Sequence, residues 1–223
     1  MSQPVMLWFD YISPYSYLAL TQVESFAREH EVVWNVRPVF YAALLDATGR
    51  TGPAEIPIQR SYVLRDILRS AEILGVPLTG PPAHPFRSLL ALRATALVQA
   101  EPASLPLAVA LSRAAWGEKR NLEDPRVVAV VATEAGLDGA AIIERAGTDE
   151  AKTLLRQNTA EALAAGVCGV PTFGWQGELF WGHDRLSHLA ARLAGRVASS
   201  EERATTLDRM PRGADRARSP FPR

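Results

Sequence analysis

The spacing of apolar positions changes along the chain and predicts several kinds of element. Residues 5–9 form a short, fully apolar run that is typical of a buried strand. Apolar side chains then recur at helical spacing from residue 15 to residue 30, which predicts one helix beginning at Pro14. Residues 32–39 alternate between apolar and polar, so a second strand is expected beside the first through a right-handed crossover. The chain therefore opens as a β-α-β unit.

A long helical stretch follows, and strands return near the end. Helical spacing with capping signals predicts helices at 57–74, 87–99, 105–116, 124–135, from 138, and 148–165. Strands are predicted at 172–175 and 178–181, on either side of the hairpin signal at residues 176–177, followed by a last helix over 184–195.

This order predicts an α/β fold, namely a thioredoxin-like domain with an inserted all-helical domain. The thioredoxin-like part would comprise residues 1–40 and 166–198, and the helical insertion residues 41–165. Residues 199–223 are polar and rich in Arg and Pro, so we expect a disordered tail there.

Charge and cysteine content limit the classes of function. The 24 basic residues balance the 24 acidic ones, which favours neither a nucleic-acid nor an anionic-membrane partner. Cys168 is the single cysteine, so the chain needs no oxidising compartment. The N-terminus has no signal-peptide pattern, and no apolar run approaches the ~20 residues of a membrane span. We expect a cytoplasmic protein without a metal site, because no Cys or His spacing indicates one.

The sequence from residue 13 to residue 16, Ser-Pro-Tyr-Ser, lies where the first strand meets the first helix. Ser13 suits the N-cap and Pro14 the first helical position. Without cysteine this corner cannot exchange disulfides, but the Ser13 hydroxyl can donate a hydrogen bond to the thiolate of a bound ligand. The helix N-terminus adds favourable partial charge. The alternative is that Ser13 is only an N-cap.

Two further segments complete a predicted ligand site. The bond between Val170 and Pro171 is expected to be cis, which would present the Val170 backbone to an extended peptide. The second segment comprises Trp181, Gly182, His183 and Asp184. Its helix N–H groups can bind a carboxylate, and the Asp184 side chain can pair with an ammonium group. In the simpler alternative, Asp184 only caps the last helix. Together the three segments suit a small peptide with a thiol and a free amino-acid end, and glutathione fits.

At these motifs the chain resembles the 2-hydroxychromene-2-carboxylate isomerases. These are thioredoxin-like proteins related to kappa-class glutathione transferases, and the similarity covers roughly residues 5–195. The segments that carry it are 9–19, 166–173 and 180–186. The resemblance implies that Ser13 supports the glutathione thiolate, that the Val170 backbone holds the cysteinyl part, and that the segment around His183 and Asp184 holds the γ-glutamyl end.

The resemblance also implies a reaction and a partner. Such enzymes interconvert a hydroxychromene hemiketal and a benzylidenepyruvate during breakdown of naphthalene-type aromatics, with glutathione returned unchanged, and a homodimer is expected. We expect a small aromatic substrate in a pocket bordered by Tyr15, Asp46, Phe86 and Arg87. Asp46, Arg87 and His183 depart from the residues common in the family, which leaves the particular substrate open.

Alternatives remain at the level of sequence. The chain could be a transferase that conjugates glutathione to electrophiles, or a glutathione-binding module without catalysis. A disulfide oxidoreductase is least favoured, because residues 13 and 16 are both serine. His84 could contact substrate or act as a base, although a loop histidine without a catalytic role is the simpler interpretation.

Overall fold

A four-stranded mixed sheet organises the molecule, in a computed structural model that describes residues 4–211. The strands are β1 (Val5–Phe9), β2 (Trp34–Pro38), β3 (Thr172–Trp175) and β4 (Glu178–Trp181), in the order β2-β1-β3-β4. β1 pairs in parallel with β2 and antiparallel with β3, and β3 pairs antiparallel with β4. The central β1 and β3 thus come from opposite ends of the chain, which brings the two predicted ligand segments together.

The helix predicted over residues 14–30 is two helices, α1 (Pro14–Leu20) and α2 (Val23–His30). The break follows from two polar side chains that compete for the same carbonyl group. The Thr21 hydroxyl and the Gln22 amide both donate to Leu18 O, at 2.8 Å each. Side chains that bond nearby backbone groups offer the chain an alternative to helical hydrogen bonds. The short α1 leaves its N-terminus pointing at the corner after β1.

Helices fill the segment between β2 and β3, as predicted. They are α3 (Tyr41–Ala47), α4 (Pro57–Leu74), α5 (Leu89–Leu97), α6 (Ser104–Trp116), α7 (Pro125–Glu134), α8 (Gly139–Ala146) and α9 (Asp149–Ala164), with a 3-10 helix over Pro53–Glu55. The N-cap side chains Asp124, Asp138 and Thr148 accept backbone N–H hydrogen bonds as their sequence positions indicated. Helix α3 and the 3-10 helix were not predicted.

The chain after β4 differs from the prediction in one respect. A 3-10 helix over His183–Arg185 leads into α10 (Leu186–Leu193), where the last helix was expected. Within the tail predicted to be disordered from residue 199, Glu201–Asp208 form α11. This segment contains Glu, Arg, Ala and Leu, which are good helix formers. Residues 212–223 of the predicted tail lie outside the described residues.

The sheet and the inserted helices share one hydrophobic core. Phe9 at the end of β1 and Tyr11 just after it are fully buried, as is Trp116 at the end of α6. Trp116 Nε1 donates to Tyr11 O at 2.8 Å, and Tyr11 Oη lies 2.6 Å from Thr95 Oγ1 on α5. These buried bonds fix the residues just before Ser13 against the insertion. No helix in residues 4–211 is long and apolar enough to cross a membrane.

Candidate functional site

The corner after β1 is built around Ser13. Ser13 is the N-cap of α1, with extended backbone angles, and its Oγ accepts a hydrogen bond from Ser16 N at 3.2 Å. Pro14 occupies the first helical position, where a missing N–H costs nothing. Ser13 N donates to Asp10 O at 3.1 Å, which closes the turn between strand and helix. The predicted N-cap and proline positions are confirmed.

The turn is supported from beneath by the buried carboxylate of Asp10. Its Oδ1 accepts from Ile12 N at 3.0 Å and its Oδ2 from Tyr41 N at 2.9 Å, so it joins the corner to the start of α3. Burial raises the pKa of Asp10 to about 6, against the lowering effect of hydrogen bonds from Ser88, Tyr41 and Ile12. Sequence reasoning missed Asp10; an acidic residue directly after a fully apolar strand was the available signal.

Val170 faces Ser13, although 157 positions separate them in the sequence. The bond between Val170 and Pro171 is cis, as predicted. The Ser13 hydroxyl donates to Val170 O at 3.3 Å, a long contact that a ligand acceptor could replace. The Val170 amide N–H has no acceptor within residues 4–211. One backbone donor of the cis segment is therefore available to a bound peptide.

A cavity of about 420 Å³ opens beside these groups, and we call it the Ser13 cavity. This volume lies within the range of about 300–1,000 Å³ that is usual for small-molecule sites. Its walls are mainly apolar, and they come from the corner, α3, the 3-10 helix before α4, α4 itself, the loop at 84–85 and β4. The lining residues are Ile12, Ser13, Pro14, Tyr15, Tyr41, Ala42, Leu45, Gly52, Pro53, Ala54, Glu55, Val63, His84, Pro85, Val170 and Trp181.

Tyr15 lines the Ser13 cavity, and His183, which is not among the lining residues, packs against it. Their rings stack with centroids 5.5 Å apart and planes within 8° of parallel. The Tyr15 hydroxyl donates to Asp66 Oδ2 on α4 at 2.7 Å. Burial and this hydrogen bond raise the pKa of Tyr15, and burial lowers the pKa of His183, so both side chains are neutral at pH 7. Asp184 follows His183 and pairs with Arg185, with Oδ2 3.0 Å from Nη2.

Gly182 joins the last segment to the cis proline. Its N–H donates to Pro171 O at 2.9 Å, so this amide is not available to a ligand. Its φ of 121° lies in a region that side chains rarely adopt, which explains glycine here. Trp181, just before it, is about half exposed and lines the Ser13 cavity. Arg50, which sequence reasoning did not identify, lies over the Trp181 ring at 5.2 Å and donates to Cys168 O at 2.8 Å.

His84 also lines the Ser13 cavity, and its peptide bond to Pro85 is cis. Its Nε2 lies 3.0 Å from Ile12 O; a carbonyl oxygen only accepts, so Nε2 carries the proton and Nδ1 the lone pair. Burial lowers the pKa of His84 further than the bond to Ile12 raises it. The neutral ring therefore offers one proton acceptor.

The structure does not bring three of the predicted substrate residues to this cavity. Asp46 and Arg87 are exposed, and Arg87 N bonds Glu123 Oε1 at 2.8 Å. Phe86 lines a different cavity, of about 120 Å³, beside Leu122 and Glu123. Of the four residues expected to border the substrate, Tyr15 alone is among the residues that line the Ser13 cavity. Its neighbours there include Tyr41, which was not among those four residues, and His84, for which the sequence had left a contact with substrate open.

This arrangement combines a hydroxyl donor at a helix N-terminus, a free backbone N–H and an apolar cavity. Such a set can bind an anion at Ser13 and enclose an uncharged, flat body beside it. No group of three or more His, Cys, Asp or Glu side chains in residues 4–211 comes together as a metal site.

The chain belongs to the family of the DSBA-like thioredoxin domain, whose model matches residues 4–194. The predicted thioredoxin-like fold with a helical insertion is thereby confirmed.

Two relatives and one solved structure illustrate what this chain is similar to. A 2-hydroxychromene-2-carboxylate isomerase of Sphingobium xenophagum is 29% identical, over 86% of this chain and 99% of the relative. Glutathione S-transferase kappa 2 of Caenorhabditis elegans is 28% identical, over 85% and 91%. A solved 2-hydroxychromene-2-carboxylate isomerase superposes with a TM-score of 0.81 at 24% identity, over 92% and 99%. The predicted resemblance is confirmed, and with it the expectation of an isomerase-like enzyme.

Proposed function

We propose that the chain is a glutathione-dependent isomerase of hydroxychromene-type aromatic carboxylates. The observation that carries the proposal is the meeting of Ser13 at the α1 N-terminus with the cis Val170–Pro171 segment, beside an apolar cavity. When bound, glutathione would supply a thiolate that adds to a conjugated substrate and leaves again after a bond has rotated.

Different residues of the site would bind different parts of glutathione. Ser13 turns its hydroxyl from Val170 O to the sulfur, and Ser16 N remains its donor neighbour at the helix end. The Val170 N–H binds the peptide backbone of the ligand. Trp181 and Gly182 form the wall and the turn next to the cis Pro171, and His183 and Asp184 hold the γ-glutamyl end. Asp184 must then exchange Arg185 for the ammonium, an exposed pairing of small cost.

The aromatic part of the substrate would occupy the apolar remainder of the Ser13 cavity. Tyr15 and Tyr41 supply flat walls, and their pKa values are raised by burial, so both are neutral hydroxyls. Neutral His84 offers Nδ1 as an acceptor for the thiol or phenol proton. Asp46, Phe86 and Arg87, which were expected to border the substrate, do not line this cavity and have no part in the proposal.

A kappa-type transferase is the second candidate, because relatives with that name are similar to nearly the same extent. Incubation of the purified protein with glutathione and a hydroxychromene carboxylate separates the two. An isomerase changes the substrate while total free thiol stays constant; a transferase consumes thiol with a chloronitrobenzene electrophile. Isomerisation that continues unchanged without glutathione would contradict the proposed isomerase, and an absence of thiol consumption with the electrophile would contradict the transferase.

The proposal also includes a location and an assembly state. A cytoplasmic protein is consistent with a single cysteine, Cys168, which needs no oxidising compartment. A homodimer is expected from the family resemblance. Sedimentation of the purified chain tests the second point directly.

A further inference from the structure

A second cavity, of about 410 Å³, lies between α3, α5 and α9. Phe40 and Ala43 line it from the start of α3, whereas Tyr41 and Ala42 of the same helix line the Ser13 cavity. Helix α3 thus separates two cavities, and the reaction proposed above uses only one of them. We call the second one the Arg93 cavity.

The polar lining of the Arg93 cavity is cationic. Arg93 on α5 and Lys152 and Arg156 on α9 contribute side chains, and none of its lining residues is Asp or Glu. Most of the remaining wall is aliphatic or aromatic. The cavity therefore complements an anion carried on an apolar body.

Arg93 is unusual among these cations because it has no partner. It makes no hydrogen bond or ion pair with any other residue in 4–211, and its Nε is shielded from solvent. Lys152 pairs with Asp149 at 2.9 Å, and Arg156 donates to Thr153 at 3.0 Å. A shielded donor without an acceptor is costly, so the site gains from a ligand that accepts from it.

From this geometry we infer that the Arg93 cavity binds a monocarboxylate with a compact apolar body. A planar guanidinium matches a carboxylate through two parallel hydrogen bonds, which favours this anion for a single free arginine. Lys152 can join it, because its pair with the exposed Asp149 is a weak surface contact. The apolar part packs against side chains such as Phe40 and Leu155. This inference does not depend on the proposed isomerase activity.

Calorimetric titration with 2-naphthoate and with cyclohexanecarboxylate tests the inference and distinguishes aromatic from aliphatic bodies. Arg93→Gln should weaken binding of the preferred probe at least tenfold, while Arg28→Gln, at an exposed position on α2, should leave it unchanged. Acetate and the neutral 2-naphthylmethanol should both bind at least tenfold more weakly, because each lacks one half of the recognised structure.

Two blocking variants show which cavity is occupied. Ala160 lines the Arg93 cavity and Ala42 the Ser13 cavity, and both are exposed, so a tryptophan at either position should be tolerated. Ala160→Trp should abolish binding and Ala42→Trp should retain it, with unchanged melting temperatures as the folding control. The inference would be overturned by the reverse pattern, or by binding of the acid to Arg93→Gln or of the alcohol to wild type that is as tight as binding of the acid to wild type. It would also be overturned if a second copy of the chain covered the cavity in a dimer that Arg93→Gln dissociates.

Discussion

Replacing Ser13 by alanine tests the central chemical idea, that a hydroxyl at the tip of α1 stabilises a bound thiolate. The change removes a side chain whose Oγ lies 3.2 Å from Ser16 N and 3.3 Å from Val170 O. The backbone N–H groups of α1 remain, so their contribution of about 0.3–1 kcal/mol to anion binding is retained. The difference between the two proteins therefore reports on the hydroxyl.

The expected magnitude follows from the energy of a hydrogen bond to a charged acceptor. Such a bond contributes about 1.5–3 kcal/mol. One pKa unit corresponds to about 1.4 kcal/mol. Because Ser13 is buried, little of this energy is lost to competition with water. The pKa of the bound glutathione thiol should thus rise by about one to two units in Ser13→Ala, and turnover below that pKa should fall by about ten- to one-hundredfold.

The assay is the ultraviolet absorbance of the thiolate of bound glutathione, recorded against pH at saturating ligand. Ser16→Ala is a matched control, because the Ser16 hydroxyl is buried one turn further along α1 and has no hydrogen-bond partner among residues 4–211. Removing it should change neither the thiol pKa nor the turnover. Ser13→Thr keeps a hydroxyl and should retain most of the effect.

A loss of helix capping must be separated from the chemical effect. Ser13→Ala removes an N-cap, which costs about 0.5–2 kcal/mol of stability, so its melting temperature should fall. Reduced turnover with an unchanged thiol pKa would mean that Ser13 acts as a cap only. An identical pH titration in wild type and Ser13→Ala, with glutathione bound to both, would refute the reasoning.

Three further predictions concern the surroundings of the site. Asp10 has a pKa of about 6 in the folded chain, whereas its ordinary pKa is 3.8, so the folded state binds the carboxyl proton more tightly than the unfolded state does. The free energy of unfolding should therefore fall as pH rises from about 4 to 6. This dependence, about 3 kcal/mol in denaturant titrations, should disappear in Asp10→Asn. A Cβ at Gly169 would lie 2.5 Å from the Trp181 ring, so Gly169→Ala should displace that wall and weaken glutathione binding about tenfold in calorimetry. Arg192 Nε lies 2.7 Å from Oε1 of the buried Glu178, and Arg192→Ala should lower the free energy of unfolding by about 3 kcal/mol.

Each of these has a control within the chain. Gly147→Ala meets no atom closer than 3.4 Å and should leave glutathione binding unchanged. Arg126→Ala removes an exposed pair with Asp124 and should leave the free energy of unfolding nearly unchanged. Equal losses of the free energy of unfolding in Arg126→Ala and Arg192→Ala would contradict the role of burial. If the free energy of unfolding of Asp10→Asn depends on pH as in wild type, other groups cause that dependence.

Local signals explain how much of the fold could be predicted. The limits of α4, β3 and β4 agree with the predicted 57–74, 172–175 and 178–181, because prolines, glycines and a two-residue hairpin mark their ends. Helix α3 was missed, since its start depends on Tyr41 N bonding the distant Asp10 carboxylate. The break between α1 and α2 was missed because apolar spacing continues through it.

Sequence by itself determined most of the elements and the chemistry of the corner: a serine N-cap, a proline after it, and a second proline before β3. These are local properties of backbone conformation and hydrogen bonding. Tertiary structure decided which side chains share a cavity. It brought His84 and Tyr41 to Ser13 and took Phe86 to another cavity. It also buried Asp10 and left Arg93 without a partner in the part of the chain that the structure describes. The reason is that packing between segments far apart in the chain sets burial and neighbours, and no local pattern encodes them.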